Sequence, residues 1–331
     1  MHASRRLIVL AATATATAML GTAPLAALAA DAYPAKPIRL VVPYPPGGPT
    51  DTAARIIGQA LAERIKQTVI VDNKPGASGA IGIEQVVRSA PDGYTVGVLA
   101  NPTVNSVLLG IKQSFDVKTG TTPIGMLYEI PVVVMVNEKA LPGVTNMKEL
   151  IAAAKASPKP LSYATPGVGS FSHLITESIQ SLTGAPFDHI SYKGSAPAIA
   201  DVVAGHVPIM VSDMIAALPQ IKGGKLRALA VASPSRAVFT PDVPTLKEQG
   251  IDLVAFSWGG LVGPPNLPKP IVERLNSEMK HVLADETVKN KLIAAGSTAA
   301  YSEPAGLQQQ IDHDLEFWGK IVKEKGLAAQ Q

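Results

Sequence analysis

The sequence predicts an α/β protein of two lobes, joined by two crossover strands, with a ligand cleft between them. Three observations predict it. Short β-rich apolar runs alternate with longer amphipathic patterns, the signature of a sheet covered by helices on both faces. The syntax of strand, glycine turn and helix occurs near the start and returns in the middle of the chain. Two long extended stretches, Pro123 to Asn137 and Leu253 to Gly263, separate the halves. The first exceeds the usual strand of about five or six residues, as suits a segment passing between lobes.

Ile38 to Pro43 opens the series. The turn Pro45-Pro46-Gly47-Gly48-Pro49 follows, then a helix with Ala54, Ile57, Leu61 and Ile65 at helical spacing, which Thr50 or Asp51 is expected to cap. A second strand, Thr68 to Val71, leads through Asn73 to Gly79 into a short helix with Ile83, Val86 and Val87. A third, Tyr94 to Leu99, runs into Asn101-Pro102-Thr103. In the middle of the chain Leu161 to Ala164 leads through Thr165 to Ser170 into a helix carrying Leu174, Ile175, Ile179 and Leu182. The echo continues, because Lys74 and Lys193 each sit in a glycine-containing turn after the next strand. Amphipathic patterns at Ile271 to Leu283 and Leu307 to Lys325 are expected to complete the first lobe. The expected division is residues 30–127 with 260–331 for lobe one, and 128–259 for lobe two.

The first 29 residues have a signal peptide's layout: Arg5 and Arg6, an apolar run from Leu7 to Leu20, and small residues ending Ala27-Leu28-Ala29. Either the general or the twin-arginine export route fits Ser4-Arg5-Arg6-Leu7-Ile8. Two of the 29 basic residues and none of the 26 acidic ones lie in that segment, so the remainder carries a net charge of only +1. No electrostatic case for nucleic acid survives. With no cysteine there is no disulfide, no Cys-based metal site and no lipid-anchoring thiol. The expected product is a freely diffusing periplasmic monomer.

In an open α/β sheet, ligands bind at the carboxyl ends of the strands, where turns feed helix N-termini. Gly47, Gly48, Gly76, Gly79, Gly167 and Gly169 stand there, where uncovered backbone N–H groups and helix dipoles favour an anion. No basic residue lies within Pro45 to Asp51, Ala77 to Gly79 or Thr165 to Ser170, which argues for a carboxylate over a phosphate held by a P-loop lysine. Thr50, Ser78, Thr165, Ser170 and Ser195 supply hydroxyls; each taken alone reads as an ordinary helix cap, and it is their joint placement that favours binding. Asp51 would repel an anion, so it is expected to bond backbone amides and shape the turn. His173 could donate to ligand or pack against its turn. Lys193, beside Gly194, could pair with a carboxylate or stand on the surface. Tyr44, Pro46, Ala77 and Asp213 complete the candidate set.

Tyr33 to Pro43 running into Pro46-Gly47-Gly48-Pro49-Thr50-Asp51-Thr52-Ala53-Ala54-Arg55 resembles the Bug family, substrate-binding proteins of tripartite tricarboxylate transporters. Asn73 to Gly79, Pro91-Asp92-Gly93-Tyr94, Tyr192-Lys193-Gly194, Gly224 to Val231 and Pro241 to Thr245 extend the match over nearly the whole exported chain. The resemblance implies a type II periplasmic-binding fold that closes on a small organic acid and delivers it to membrane subunits. It places one ligand carboxylate at Pro46–Asp51 and Ala77–Gly79 in lobe one. In lobe two it implies contacts at Thr165, Gly167, Gly169, Ser170 and His173, with Asp213 as a specificity contact. Where relatives often have Phe-Asp, this chain has Ser212-Asp213, and Pro49 stands within the first turn. Both bear on pocket size.

A hydrolase using Ser170, His173 and Asp201 or Asp213 is the main rival, but Gly167-Val168-Gly169-Ser170-Phe171 is not a Gly-x-Ser-x-Gly elbow. The histidines at 173, 189, 206, 281 and 313 are scattered without metal-ligand spacing, and Gly76-x-x-Gly79-x-x-Gly82 lacks the Gly-x-Gly of a dinucleotide site. No cofactor or metal is expected. A sensor that passes ligand occupancy to a signalling partner would use the same chemistry.

Overall fold

A computed structural model describes residues 33–168 and 170–328; the predicted signal segment and Gly169 lie outside the described residues. The first elements are β1 (Ile38–Val42), α1 (Pro49–Ile65), β2 (Val69–Asn73), a 3-10 turn (Ala77–Gly79), α2 (Ala80–Val87), β3 (Thr95–Ala100), α3 (Asn101–Ser106) and β4 (Thr122–Val136). The middle of the chain forms α4 (Met147–Ala156), β5 (Leu161–Thr165), α5 (Phe171–Thr183), β6 (Phe187–Ser191), α6 (Ser195–Ala204), β7 (Ile209–Asp213), α7 (Met214–Lys222) and β8 (Arg227–Val231). Then follow β9 (Phe256–Gly263), α8 (Lys269–Ala284), α9 (Glu286–Ala294), β10 (Thr298–Ala299) and α10 (Pro304–Lys325).

The central strands are nearly continuous apolar runs because helices cover both faces of their sheet. Ile38, Leu40, Val41 and Val42 are all buried. Helix α1 packs Ala53, Ala54, Ile57 and Leu61 inward. Gly58 brings it close to the sheet, where an added methyl would already touch Val69, Leu40 and Val71.

The sheet order is β2-β1-β3-β9-β4-β7-β5-β6. It contains the same half twice. In each, three parallel strands stand in the order second, first, third, and the third meets an antiparallel strand: β3 against β9, and β7 against β4. The echo in the sequence is thus a repeat of topology.

Strand β4 joins the halves. Residues Thr122 to Pro131 pair with β9, whereas Val132 to Val136 pair with β7 on one side and β8 on the other. Pro131 falls where the ladder changes partner, the position at which a residue without an N–H is tolerated. The chain returns beside it, with Ala232 N–H bonded to Val132 O and Ala255 N–H to Ala232 O. Both predicted crossovers are present.

Two elements add to the expected plan. The run Asn101-Pro102-Thr103 after the third strand opens helix α3 although Asn, Pro, Thr and Ser have poor helical propensity; its packing against β3, α10 and the 3-10 turn overrides that preference. Helix α10 contacts both halves. Leu307 and Ile311 pack with Trp258, while Trp318 and Val322 join the core around Leu174 and Ile175. Trp318 meets Phe171 edge-on at 4.9 Å, so the last helix braces both halves.

Candidate functional site

Helix α1 is capped earlier than predicted, ahead of Thr50 and Asp51. Gly48 is the cap, extended at φ −76° and ψ 171°, and Pro49 takes the first helical position, where its missing N–H costs nothing and its fixed φ suits the helix. Asp51, in the third position, reaches back over the turn. Its Oδ2 accepts from Gly47 N–H at 2.8 Å and from Arg55 Nε at 2.9 Å, and its Oδ1 accepts from Asn73 Nδ2 at 2.8 Å. Burial alone would raise this carboxyl, but the bonds from Arg55, Gly47 and Asn73 outweigh it and hold the pKa below the usual range. Asp51 therefore shapes the turn, and its carboxylate is fully committed there.

The glycine amides differ from expectation. Gly47 N–H goes to Asp51, Gly48 N–H to Pro45 O, Gly79 N–H to Gly76 O, Gly167 N–H to Thr165 Oγ1 and Gly194 N–H to Pro166 O. These bonds close the turns themselves. What the turns leave is the first-turn amides of Thr50 and Asp51 on α1 and of Phe171 and Ser172 on α5, which have no intrahelical acceptor. Side-chain space above the turns is open, since nothing lies within 4 Å of a methyl added at Gly47 or Gly194. Pro46, Gly47, Ala77 and Ser78 are exposed. Ala77 and Ser78 hold positive φ of 46° and 53°, a conformation unfavourable for non-glycine residues. Beneath them Tyr44 and Thr103 share a hydroxyl hydrogen bond of 2.7 Å, and Thr103 also donates to Ser78 O.

In the second half Ser170 is the cap of α5, its hydroxyl accepting from His173 N–H at 3.3 Å. Gly194 caps α6, leaving Ser195 in the first helical position and not the cap. Thr165 is fully buried, its hydroxyl 2.6 Å from His189 Nε2. His173 is buried as well, stacked on His189 with ring centroids 3.9 Å apart and planes 14° from parallel. Burial, with His189 adding to it, holds its imidazole down to about 4. Lys193 stands exposed.

The two halves meet at the crossover. The Tyr128 hydroxyl on β4 feels Thr50 and Tyr44 from the first half and Asp213 from the second. Asp213 caps α7 and accepts a short bond from Ser257 Oγ on β9. Burial pushes its carboxyl up to about 6 against that bond. Thr50, Tyr44 and Asp213 all keep partial exposure. Sequence reasoning missed Tyr128, Ser257, His189 and Thr103. Strand alternation could flag the first three as facing one side, but only pairing shows which side; Thr103 lies on α3, where no strand pattern applies. Among the described residues no group of three His, Asp or Glu could hold a metal ion, and no helix is long and apolar enough to cross a membrane.

Two 2-1-3 half-sheets, linked by crossing strands, with helix N-termini and hydroxyls gathered at the link, define a periplasmic-type solute-binding protein. The model of the tripartite tricarboxylate transporter family receptor, TctC, matches residues 53–327, and the chain belongs to that family. It is 35% identical to the protein BugT of Bordetella pertussis over 93% of this chain and 95% of that one. Its fold is similar to the periplasmic binding protein BugD, with a TM-score of 0.74 and 30% identity over 90% of this chain and 100% of that one. It also matches an R. palustris protein solved with adipate, with a TM-score of 0.79 and 31% identity over 89% and 99% of the two chains. The MatC protein of Rhodopseudomonas palustris, solved with bound malate, matches at a TM-score of 0.74 and 29% identity over 88% and 100%.

Proposed function

We propose that this receptor captures a small organic carboxylate between its halves by reversible closure, without covalent change, and delivers it to the membrane subunits of a tripartite transporter. The observation that carries the reading is the doubled half. One set of first-turn amides, at Thr50 and Asp51, opens α1 after β1, and a second, at Phe171 and Ser172, opens α5 after β5, the equivalent strand of the other half. Converging dipoles of this kind favour a small anion. The named ligands of the solved relatives, adipate and malate, are carboxylates and support the class.

In this reading the lobes are residues 30–127 with 260–331, and 128–259, and residues 1–29 are removed on export. Ligand contacts come from the turns at 44–51 and 77–79, from the segment 165–173, from Lys193 and Gly194, and from Asp213. Asp51, Thr165 and His173 act by holding those turns in place, given the bonds and stacking that occupy them. The Ser170 hydroxyl caps its own helix, which supports binding over a nucleophile's role. The protein works as a monomer without cofactor.

A thermal-shift screen of organic acids, adipate and malate among them, tests the reading. A true ligand at 100 times its Kd adds about 2.7 kcal/mol and raises Tm accordingly. Failure of every carboxylate to stabilise the protein would refute it.

A further inference from the structure

Helix α10 is tied to the two halves by separate stretches. Toward its start, Leu307 and Ile311 pack with Leu99, Val104 and Trp258 in a core of the first half. Asp312 pairs with Lys118 at 3.0 Å, and Asp314 Oδ2 accepts from Trp258 Nε1 at 2.8 Å. Toward its end, Val322 joins the core of the second half, and Lys325 pairs with Glu177 of α5 at 3.5 Å. Trp318 stands at the changeover, edge-on to Phe171, the first residue of α5. Gly319 follows it, between the two sets of ties. Apart from Gly306 in the first turn, it is the only glycine of the helix. Space does not call for a glycine there. A methyl built on it would meet Leu108 Cδ2 at 3.5 Å, an ordinary van der Waals contact. What glycine supplies inside a helix is backbone freedom, at a cost of about fivefold in the folding equilibrium relative to alanine.

We infer that Gly319 is a positioning residue for guest capture, the point at which α10 bends as the halves close. The inference rests on the carboxylate-receptor reading above. Closure moves the start of α5 relative to β3 and β9, and a helix anchored on both sides must then slide, lose an anchor or bend. Hinge positions absorb such changes in φ and ψ, and small residues suit them. With the bend at Gly319, Val322 and Lys325 follow α5 while Leu307 and Ile311 keep their seats. The amides of Phe171 and Ser172 then reach the guest without loss of either core.

The test compares wild type, Gly319→Ser and Gly319→Ala. Thermal unfolding is measured on the free proteins, and calorimetric titration with a panel of mono- and dicarboxylates that includes adipate and malate. Helix preference rises from glycine through serine to alanine. Stability of the free protein should rise in that order, by up to about fivefold in the folding equilibrium for Gly319→Ala. The bent, guest-bound state cannot use the added preference, so Kd should rise in the same order, to about fivefold for Gly319→Ala and by one factor for every acid bound. A Kd that is unchanged or lower in the stabilised variants overturns the proposal. Lower stability of the variants also overturns it, since the glycine would then be needed for space. A change confined to some acids of the panel does so too, because it would mark a contact with the guest. If the wild type binds no acid of the panel, the receptor reading falls instead, and the wild-type titration alone reveals that case.

Discussion

Acid should destabilise this protein through one buried histidine, and the size of the effect follows from its surroundings. His173 is 4% exposed, stacked on His189, with Glu177 Oε1 3.9 Å from its Nε2. Burial and His189 hold its pKa to about 4 against the opposing pull of Glu177, whereas an unfolded chain titrates its histidines near 6.5. Between those values the unfolded state binds a proton that the folded state does not. Stability is therefore complete above about pH 6.5 and is lost as pH falls toward 4. The gap is worth on the order of 3 kcal/mol. Asp213, with its raised carboxyl, acts in the opposite direction over much of the same range, so the informative quantity is the difference between wild type and His173→Gln. That difference should shift against the wild type by about 3 kcal/mol between pH 7 and pH 4. Urea denaturation at stepped pH, followed by fluorescence of the buried Trp258 and Trp318, measures it. A difference that stays constant across the range would refute the reasoning.

Two further outcomes follow from the carboxylates of the candidate site. Asp51→Ala removes the acceptor of three hydrogen bonds that close the first turn; it should cost roughly 2–3 kcal/mol and abolish hydrogen-exchange protection of the Gly47 amide, which NMR would detect. Asp213→Asn should change the pH profile with the opposite sign to His173. A carboxyl raised to about 6 favours folding below the unfolded value near 3.9 and loses that contribution as pH rises through 6. The variant should therefore gain on the wild type by on the order of 2–3 kcal/mol between pH 4 and pH 7, as read by paired denaturation curves.

The turns of the candidate site could be placed from the sequence, and the reason is that turns are local. Gly47, Gly48 and Pro49 specify a strand-to-helix turn whatever surrounds them, and Ser170 declares a helix start through a bond to a residue three positions on. The donors within the turns were harder to assign. Whether Gly47 N–H points at a ligand or at Asp51 depends on a side-chain rotamer and on Asn73, which approaches from another strand.

The sequence by itself determined the alternation of strands and helices, the doubled strand-turn-helix unit and the two crossovers. Each rests on periodicity and turn chemistry within a dozen or so neighbouring residues. Only the tertiary structure decided that His173 stacks on His189, that α10 reaches both halves, and that Tyr128 takes the space beside Gly259. The last depends on the register of strands more than a hundred residues apart in the chain, where Tyr128 meets Gly259; the histidine stack depends on the pairing of β5 with β6, and the reach of α10 on helix packing against two cores. A one-residue slip there would turn Tyr128 to the opposite face, and no local pattern encodes which register wins.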